Sequence, residues 1–329
     1  MANVTCVAAL LTASVLSTSV QAFDIIAHRG ASGYLPEHTL EAATLAFAQQ
    51  PDYIEQDVVI TEDKQAVVLH DIHLETVTNV EQMFPDRARE DGRWYALDFT
   101  LAELKTLQVH ERQNADGSPV FKHRYSGKQT GFTVATLDEH IELITQLNRE
   151  LGTDIGLYTE IKSPAWHHKQ GVDIASITLK ILARHNLTRP DVRFVLQCFD
   201  FKEVQRIRQE LGYEGMLVQL VGDNSWGEAP TDYNWLLSKA GLKAVAQVAD
   251  GLGPWLPQLM NKQQTGAASW VKTAQQQGLI LHPYTYRADA LPKGMSSDAL
   301  MKFLTQTVDG VFTDQVPPVK NYLKAHPVQ

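Results

Sequence analysis

Cysteine is scarce in these 329 residues, with only Cys6 and Cys198 present. Cys6 falls in an uncharged N-terminal run whose removal would leave Cys198 alone, so no intrachain disulfide framework is expected. An excess of basic charge is also missing: 29 Lys and Arg face 38 Asp and Glu, for a formal net charge of −9. A protein that tracks a nucleic-acid backbone needs a basic surface, which excludes that class. Low-complexity tracts and internal repeats are absent. Residues 1–22 contain no charged side chain, run through VAALLTASVLSTSV and end Val20-Gln21-Ala22. That run is Ser/Thr-rich and shorter than the about 20 apolar residues needed to span a bilayer, so stable membrane insertion is not expected. Its small residues suit a signal peptidase, and a secretory signal over 1–22 is expected, although the usual basic start is reduced here to the amino group of Met1.

What is present is a large reservoir of core, 44% of residues being hydrophobic. Short apolar runs bounded by turn residues alternate with helical patterns, as in repeated β-α units around a parallel sheet. Eight runs qualify as barrel strands: Asp24 to His28, Tyr53 to Asp57, Gly156 to Ile161, Arg193 to Cys198, Met216 to Leu220, Ala249 to Leu252, Leu279 to Pro283 and Gly310 to Thr313. The expectation is an α/β fold, a (β/α)8 TIM barrel of roughly 250 residues plus an insertion. The run Ala66 to His70 follows VVI after only TEDKQ, too little for a parallel crossover, so it is expected to fold back as a hairpin. TLEAATLAFAQQ, FKEVQRIRQEL and TLDEHIELITQLNRE have helical spacing, the last with Thr136 and Glu139 as a capping box. The stretch at about 72–135 is too long for a simple loop and is expected to form a small insertion subdomain after the second strand, capping the site.

Four of these runs end in polar clusters: His28 and Arg29; Glu55 and Asp57; His70 and Asp71; Glu160 and Lys162. Strand side chains alternate with period two, so Glu55 and Asp57 share a side. If that side is the barrel interior, two carboxylates converge there and Glu160 supplies a third, a set that suits Mg²⁺ or Ca²⁺ better than a soft metal. Histidine titrates close enough to neutrality to move a proton in a transition state. Arg29 offers a planar fork for two phosphate oxygens, and Lys162 a point charge.

The order HRG, E-x-D, HD, E-I-K resembles that of the glycerophosphodiester phosphodiesterase family, its periplasmic bacterial members above all. The likeness runs through FPDRAR, YALDFTLAELK, VLQCFD, LHPYT and GVFTDQ, nearly the whole of 23–329. It implies hydrolysis of glycerophosphodiesters such as glycerophosphocholine and glycerophosphoethanolamine to glycerol 3-phosphate and an alcohol. It further implies one divalent cation, Ca²⁺ or Mg²⁺, at Glu55, Asp57 and Glu160, and a general acid-base couple of His28 and His70. Arg29 and Lys162 are then expected to neutralise charge on the phosphoryl group, and Glu37 to neighbour the metal or a substrate hydroxyl. His38 stands where the wider family often has Asn. Gln197, Phe199 and Tyr284, at later strand ends, would line the glycerol pocket, with Trp166, His167 and His168 at its rim and His282 closing the barrel mouth. The implied location is the periplasm, and a homodimer stays open. Two other readings stand beside this one: a barrel phospholipase acting on intact lipid, and a non-catalytic binding protein that keeps the fold.

Overall fold

The computed structural model describes residues 23–128, 131–261 and 266–327. The expected signal over 1–22 lies outside the described residues.

Among the described residues nine strands form: β1 Asp24–Ala27, β2 Tyr53–Ile60, β3 Ala66–Val68, β4 Gly156–Ile161, β5 Phe194–Cys198, β6 Met216–Val221, β7 Gly251–Pro254, β8 Ile280–Leu281 and β9 Gly310–Thr313. Eight of them run in the parallel order β8-β7-β6-β5-β4-β2-β1-β9, with β3 pairing β2 from the side. The ring closes between β8 and β9, where the Asp309 N–H donates to the Leu281 carbonyl at 3.1 Å and the Phe312 N–H to the Pro283 carbonyl at 3.0 Å. This is the barrel anticipated from the alternating pattern. Parallel strands are covered on both faces, which is why they read as continuous apolar runs.

Strand β3 is antiparallel to β2, with Val58 opposite Val68 and Ile60 opposite Ala66, as the short TEDKQ connection requires. It is reinforced by the chain that returns from the long insertion, since the Val68 N–H donates to the Ala135 carbonyl at 2.8 Å. Between β3 and helix Leu137–Leu151 a second apolar cluster gathers, separate from the barrel core. Trp94, Phe99, Leu104, Leu107, Val109 and Phe132 pack there against Val59 and Val67. Because Val59 and Val67 belong to the hairpin, that cluster anchors the insertion to the strand pair that also carries the site.

The helices start as their sequences direct. Thr39 caps helix Leu40–Gln49 by accepting from the Ala42 N–H at 3.1 Å, and Thr136 with Glu139 forms the capping box of Leu137–Leu151. Among the described residues no helix is long and apolar enough to cross a membrane.

Register decides what the barrel interior contains. Asp57 pairs with Glu160, Glu55 with Tyr158, and Glu160 with Gln197. Ile26, Tyr158, Val195, Val218 and Phe312 fill a buried interior layer. Two residues farther along the same strands come His28, Glu160, Gln197, Leu220 and Asp314, so one step of the strand period turns an apolar plug into a polar floor.

Candidate active site

That floor opens into a cavity lined by His28, Arg29, Glu55, Asp57, His70, Glu160, Gln197, Phe199, Leu220, Tyr284 and Phe312. Nine of the eleven residues expected at the site therefore converge there. The other two, Glu37 and Lys162, stand one layer behind and hold residues that line it.

The loop after β1 is built to turn charged groups inward. Arg29 and His38 both take left-handed backbone conformations, with φ of 56° and 62°, and the His38 N–H donates to the Arg29 carbonyl at 3.0 Å. Non-glycine residues occupy that region at a cost that local bonding must offset. Gly30 is required beside them: its φ is +80° and a Cβ there would lie 2.9 Å from the Ala42 carbonyl carbon. The result is that the Arg29 N–H donates to Glu55 Oε2 at 2.9 Å while its guanidinium donates to both Glu37 oxygens at 3.1 Å.

Glu55, Asp57 and Glu160 are buried and present ligand oxygens within 4.8 Å of one another. Burial and the charge of Asp57 push Glu55 well above the usual carboxylate range. Burial does the same to Glu160, with Asp57 adding to it against the opposing pull of Lys162. Asp57 is displaced the other way: burial resists its charge, but His38, at 2.7 Å from Oδ2, with His70 and Lys162 outweighs it. Asp57 Oδ1 is buried and carries no hydrogen bond. Three hard oxygen donors, two of them resisting ionisation and one with an unused lone pair, fit a divalent cation of the Mg²⁺ or Ca²⁺ kind. A second acidic group, His168, Asp173 and Glu203, is already neutralised by Arg206, which bonds Asp173 and lies 2.6 Å from Glu203 Oε1.

Both histidines are anchored through Nδ1. His28 Nδ1 lies 2.6 Å from Asp314 Oδ1 and its Nε2 3.8 Å from Glu55 Oε2; His70 Nδ1 lies 2.7 Å from Asp71 Oδ1. Burial, then the positive charge of Arg29, lowers both to about 4, so both rings are neutral at neutral pH. Lys162 is buried, with Glu160 at 2.7 Å and Glu228 at 3.1 Å, and these hold its ammonium charged against burial. Gln197 donates from Nε2 to Glu55 Oε1 at 2.9 Å. Phe199 and Tyr284 meet edge to face at 5.8 Å on the apolar side.

Four expectations move. His38, given no contact by the sequence, reaches Asp57 itself. Trp166 stacks on Tyr95 at 5.4 Å, and His167 is buried with Nδ1 against the Ser163 carbonyl at 3.0 Å, a packing role. His282 faces Asp24, at the opening residue of β1, at 3.4 Å and Tyr158 at 3.4 Å. It thus plugs the lower barrel and does not close the mouth. Sequence reasoning also missed Asp314, Glu228, Arg112 and Arg124. Asp314 follows the strand GVFT as His28 follows DIIA, so the strand-end rule could have found it; the other three lie in loops with no local signal.

The glycerophosphoryl diester phosphodiesterase family model matches residues 28–317. The glycerophosphodiester phosphodiesterase of Haemophilus influenzae is 40% identical over an alignment of 317 residues, covering 88% of this chain and 86% of that one. That of Treponema pallidum is 37% identical over 291 residues, covering 82% of each. Among solved structures, an Oleispira antarctica phosphodiesterase in complex with the product sn-glycerol-3-phosphate shares the fold with a TM-score of 0.63 at 21% identity, over 92% of this chain and 96% of that one. The chain is therefore a member of the glycerophosphoryl diester phosphodiesterase family of enzymes.

Proposed function

We propose that this chain hydrolyses soluble glycerophosphodiesters, glycerophosphocholine and glycerophosphoethanolamine among them, to glycerol 3-phosphate and an alcohol, with His28 and His70 as its acid-base couple. The observation that carries the reading is the shared cavity: two histidines anchored at Nδ1 and three carboxylates line it together. Each anchored ring leaves Nε2 to serve the substrate. A neutral ring can accept the proton of the attacking glycerol hydroxyl or water. A phosphodiester anion brought beside the other raises its proton affinity, so that it can deliver a proton to the departing alkoxide. Arg29 and Lys162 offset charge developing on the phosphoryl oxygens. A divalent cation held by Glu55, Asp57 and Glu160 would polarise the phosphate and balance the carboxylates. Gln197, Phe199 and Tyr284 shape the wall for the glycerol backbone. Export to the periplasm, as residues 1–22 suggest, completes the proposal.

The test is release of glycerol 3-phosphate from glycerophosphocholine by purified protein, with and without chelator, beside His28→Ala and His70→Ala, and with phospholipid vesicles in parallel. Release that chelator stops, Ca²⁺ or Mg²⁺ restores and both variants lose is the expected result. Turnover by either folded variant would remove the acid-base assignment, and cleavage of vesicles alone would move the substrate to intact lipid. Recovery of the protein in the cytoplasmic fraction would refute export.

A further inference from the structure

Neither histidine is held by the barrel alone. Asp314, which grips His28 through Oδ1, accepts at Oδ2 from Arg124 Nη2 at 2.7 Å and Arg287 Nε at 2.8 Å. Asp71, which grips His70 through Oδ1, accepts at Oδ2 from Arg112 Nη1 at 2.5 Å and Thr76 Oγ1 at 3.1 Å. Arg112 and Arg124 both come from the stretch between β3 and helix Leu137–Leu151, outside the β/α framework. Both are withdrawn from solvent, with side-chain exposures of 16% and 4%.

We propose that Arg112 and Arg124 are positioning residues through which the insertion sets the direction and tautomer of both histidines, each Arg fixing the aspartate that fixes one ring. The proposal rests on the acid-base reading of His28 and His70. Its physical basis is the planarity of the groups. A carboxylate bonded to a ring nitrogen by one oxygen can still swing about its Cβ bond, and the ring swings with it. A guanidinium seated on the second oxygen fixes the carboxylate plane. An ionised aspartate at Nδ1 then requires the proton on Nδ1, which leaves the Nε2 lone pair for the substrate. Arginine is needed because each must serve two carboxylates at once. Arg112 also donates to Glu37, at 2.6 Å to Oε1 and 3.1 Å to Oε2, and so joins the support of His70 to that of Arg29. Arg124 also donates to Asp289 at 2.9 Å and 3.1 Å. A single ammonium cannot reproduce that fork.

The test is a set of double-mutant cycles read in kcat and KM on glycerophosphocholine with the metal-loaded enzyme. Arg124→Ala and Arg112→Ala are each expected to lower kcat by about 10- to 100-fold with KM changed by less than about threefold. In an Asp314→Asn background, Arg124→Ala is expected to cost under about twofold more, while Arg112→Ala there costs nearly its full factor, because the two supports are separate. Arg124→Lys and Arg112→Lys keep the charge and are still expected to lower kcat. Folded Lys or Ala variants with unchanged kcat would overturn the proposal. So would an Arg124→Ala cost that is the same with and without Asp314, since Arg124 would then act by another route. His28→Ala serves as the reference: loss of turnover there with intact turnover in the Arg variants defeats this proposal alone, whereas turnover retained in His28→Ala removes the acid-base reading beneath it.

Discussion

His38 Nε2 lies 2.7 Å from Asp57 Oδ2, and the backbone that carries the ring is held by His140, whose Nε2 meets the His38 carbonyl at 3.0 Å. Asp57 thus enters the carboxylate cluster with one oxygen held and the other unbonded. Loss of such a supporting contact to a ligating carboxylate typically costs 10- to 100-fold in metal affinity or activity. His38→Ala is expected to weaken cation binding by about 10-fold or more, and His38→Asn, which keeps a donor, by less. Titration of the chelator-treated variants with Ca²⁺ checks this, and equal affinity in His38→Ala and the parent would show that the contact has no such role.

Cation loading should also release protons. Burial and Asp57 keep the Glu55 carboxyl well above its ordinary range, and burial keeps Glu160 there too. A cation binds the ionised forms, so loading displaces the protons these groups hold, and affinity weakens as pH falls. Calorimetry of Ca²⁺ binding in buffers of different ionisation enthalpy is expected to give heats that vary with the buffer. Identical heats in every buffer would mean that the three carboxylates are already charged.

The parts of the site that could be read from sequence lie on apolar runs interrupted by charged pairs, at the end of the run or, for Glu55 and Asp57, within β2. His28, His70 and Glu160 were legible at the ends of their runs, Gln197 and Phe199 at a later strand end, and the period of two put Glu55 and Asp57 on one side. The supports were not legible. Arg124 meets Asp314 across 190 positions and Arg112 meets Glu37 across 75, and neither lies on an element with a period that aims it. His282 shows the converse failure: a polar residue after a strand resembled a mouth residue, yet β8 is short and register sets His282 low in the barrel.

Cys198 offers a probe of barrel integrity. It lies in β5, fully buried, and burial raises its thiol well above the ordinary range. The thiolate is the reactive form, so in protein lacking residues 1–22, which carry the other cysteine, Cys6, the native state should resist thiol reagents and the denatured state should react. Labelling under native conditions is expected to proceed only at the rate of local opening. Rapid labelling of native protein would place β5 in an accessible position, contrary to the packing described.

Acid sensitivity should come partly from a neutral buried histidine behind the carboxylate cluster. His140 is 1% exposed, and burial lowers it to about 4. In the unfolded chain histidine titrates near 6.5. Between those values the unfolded chain binds a proton that the folded chain refuses, so stability rises with pH through that window and levels off above it. For one such group the loss between pH 7.5 and pH 5 is about 2 kcal/mol. His140→Gln keeps a donor for the His38 carbonyl and cannot titrate. Urea unfolding of the two proteins at both pH values is therefore expected to show an acid loss smaller by about 2 kcal/mol in the variant, whatever its stability at pH 7.5. An equal acid loss in both would mean that His140 takes up its proton in the folded state as readily as in the unfolded one.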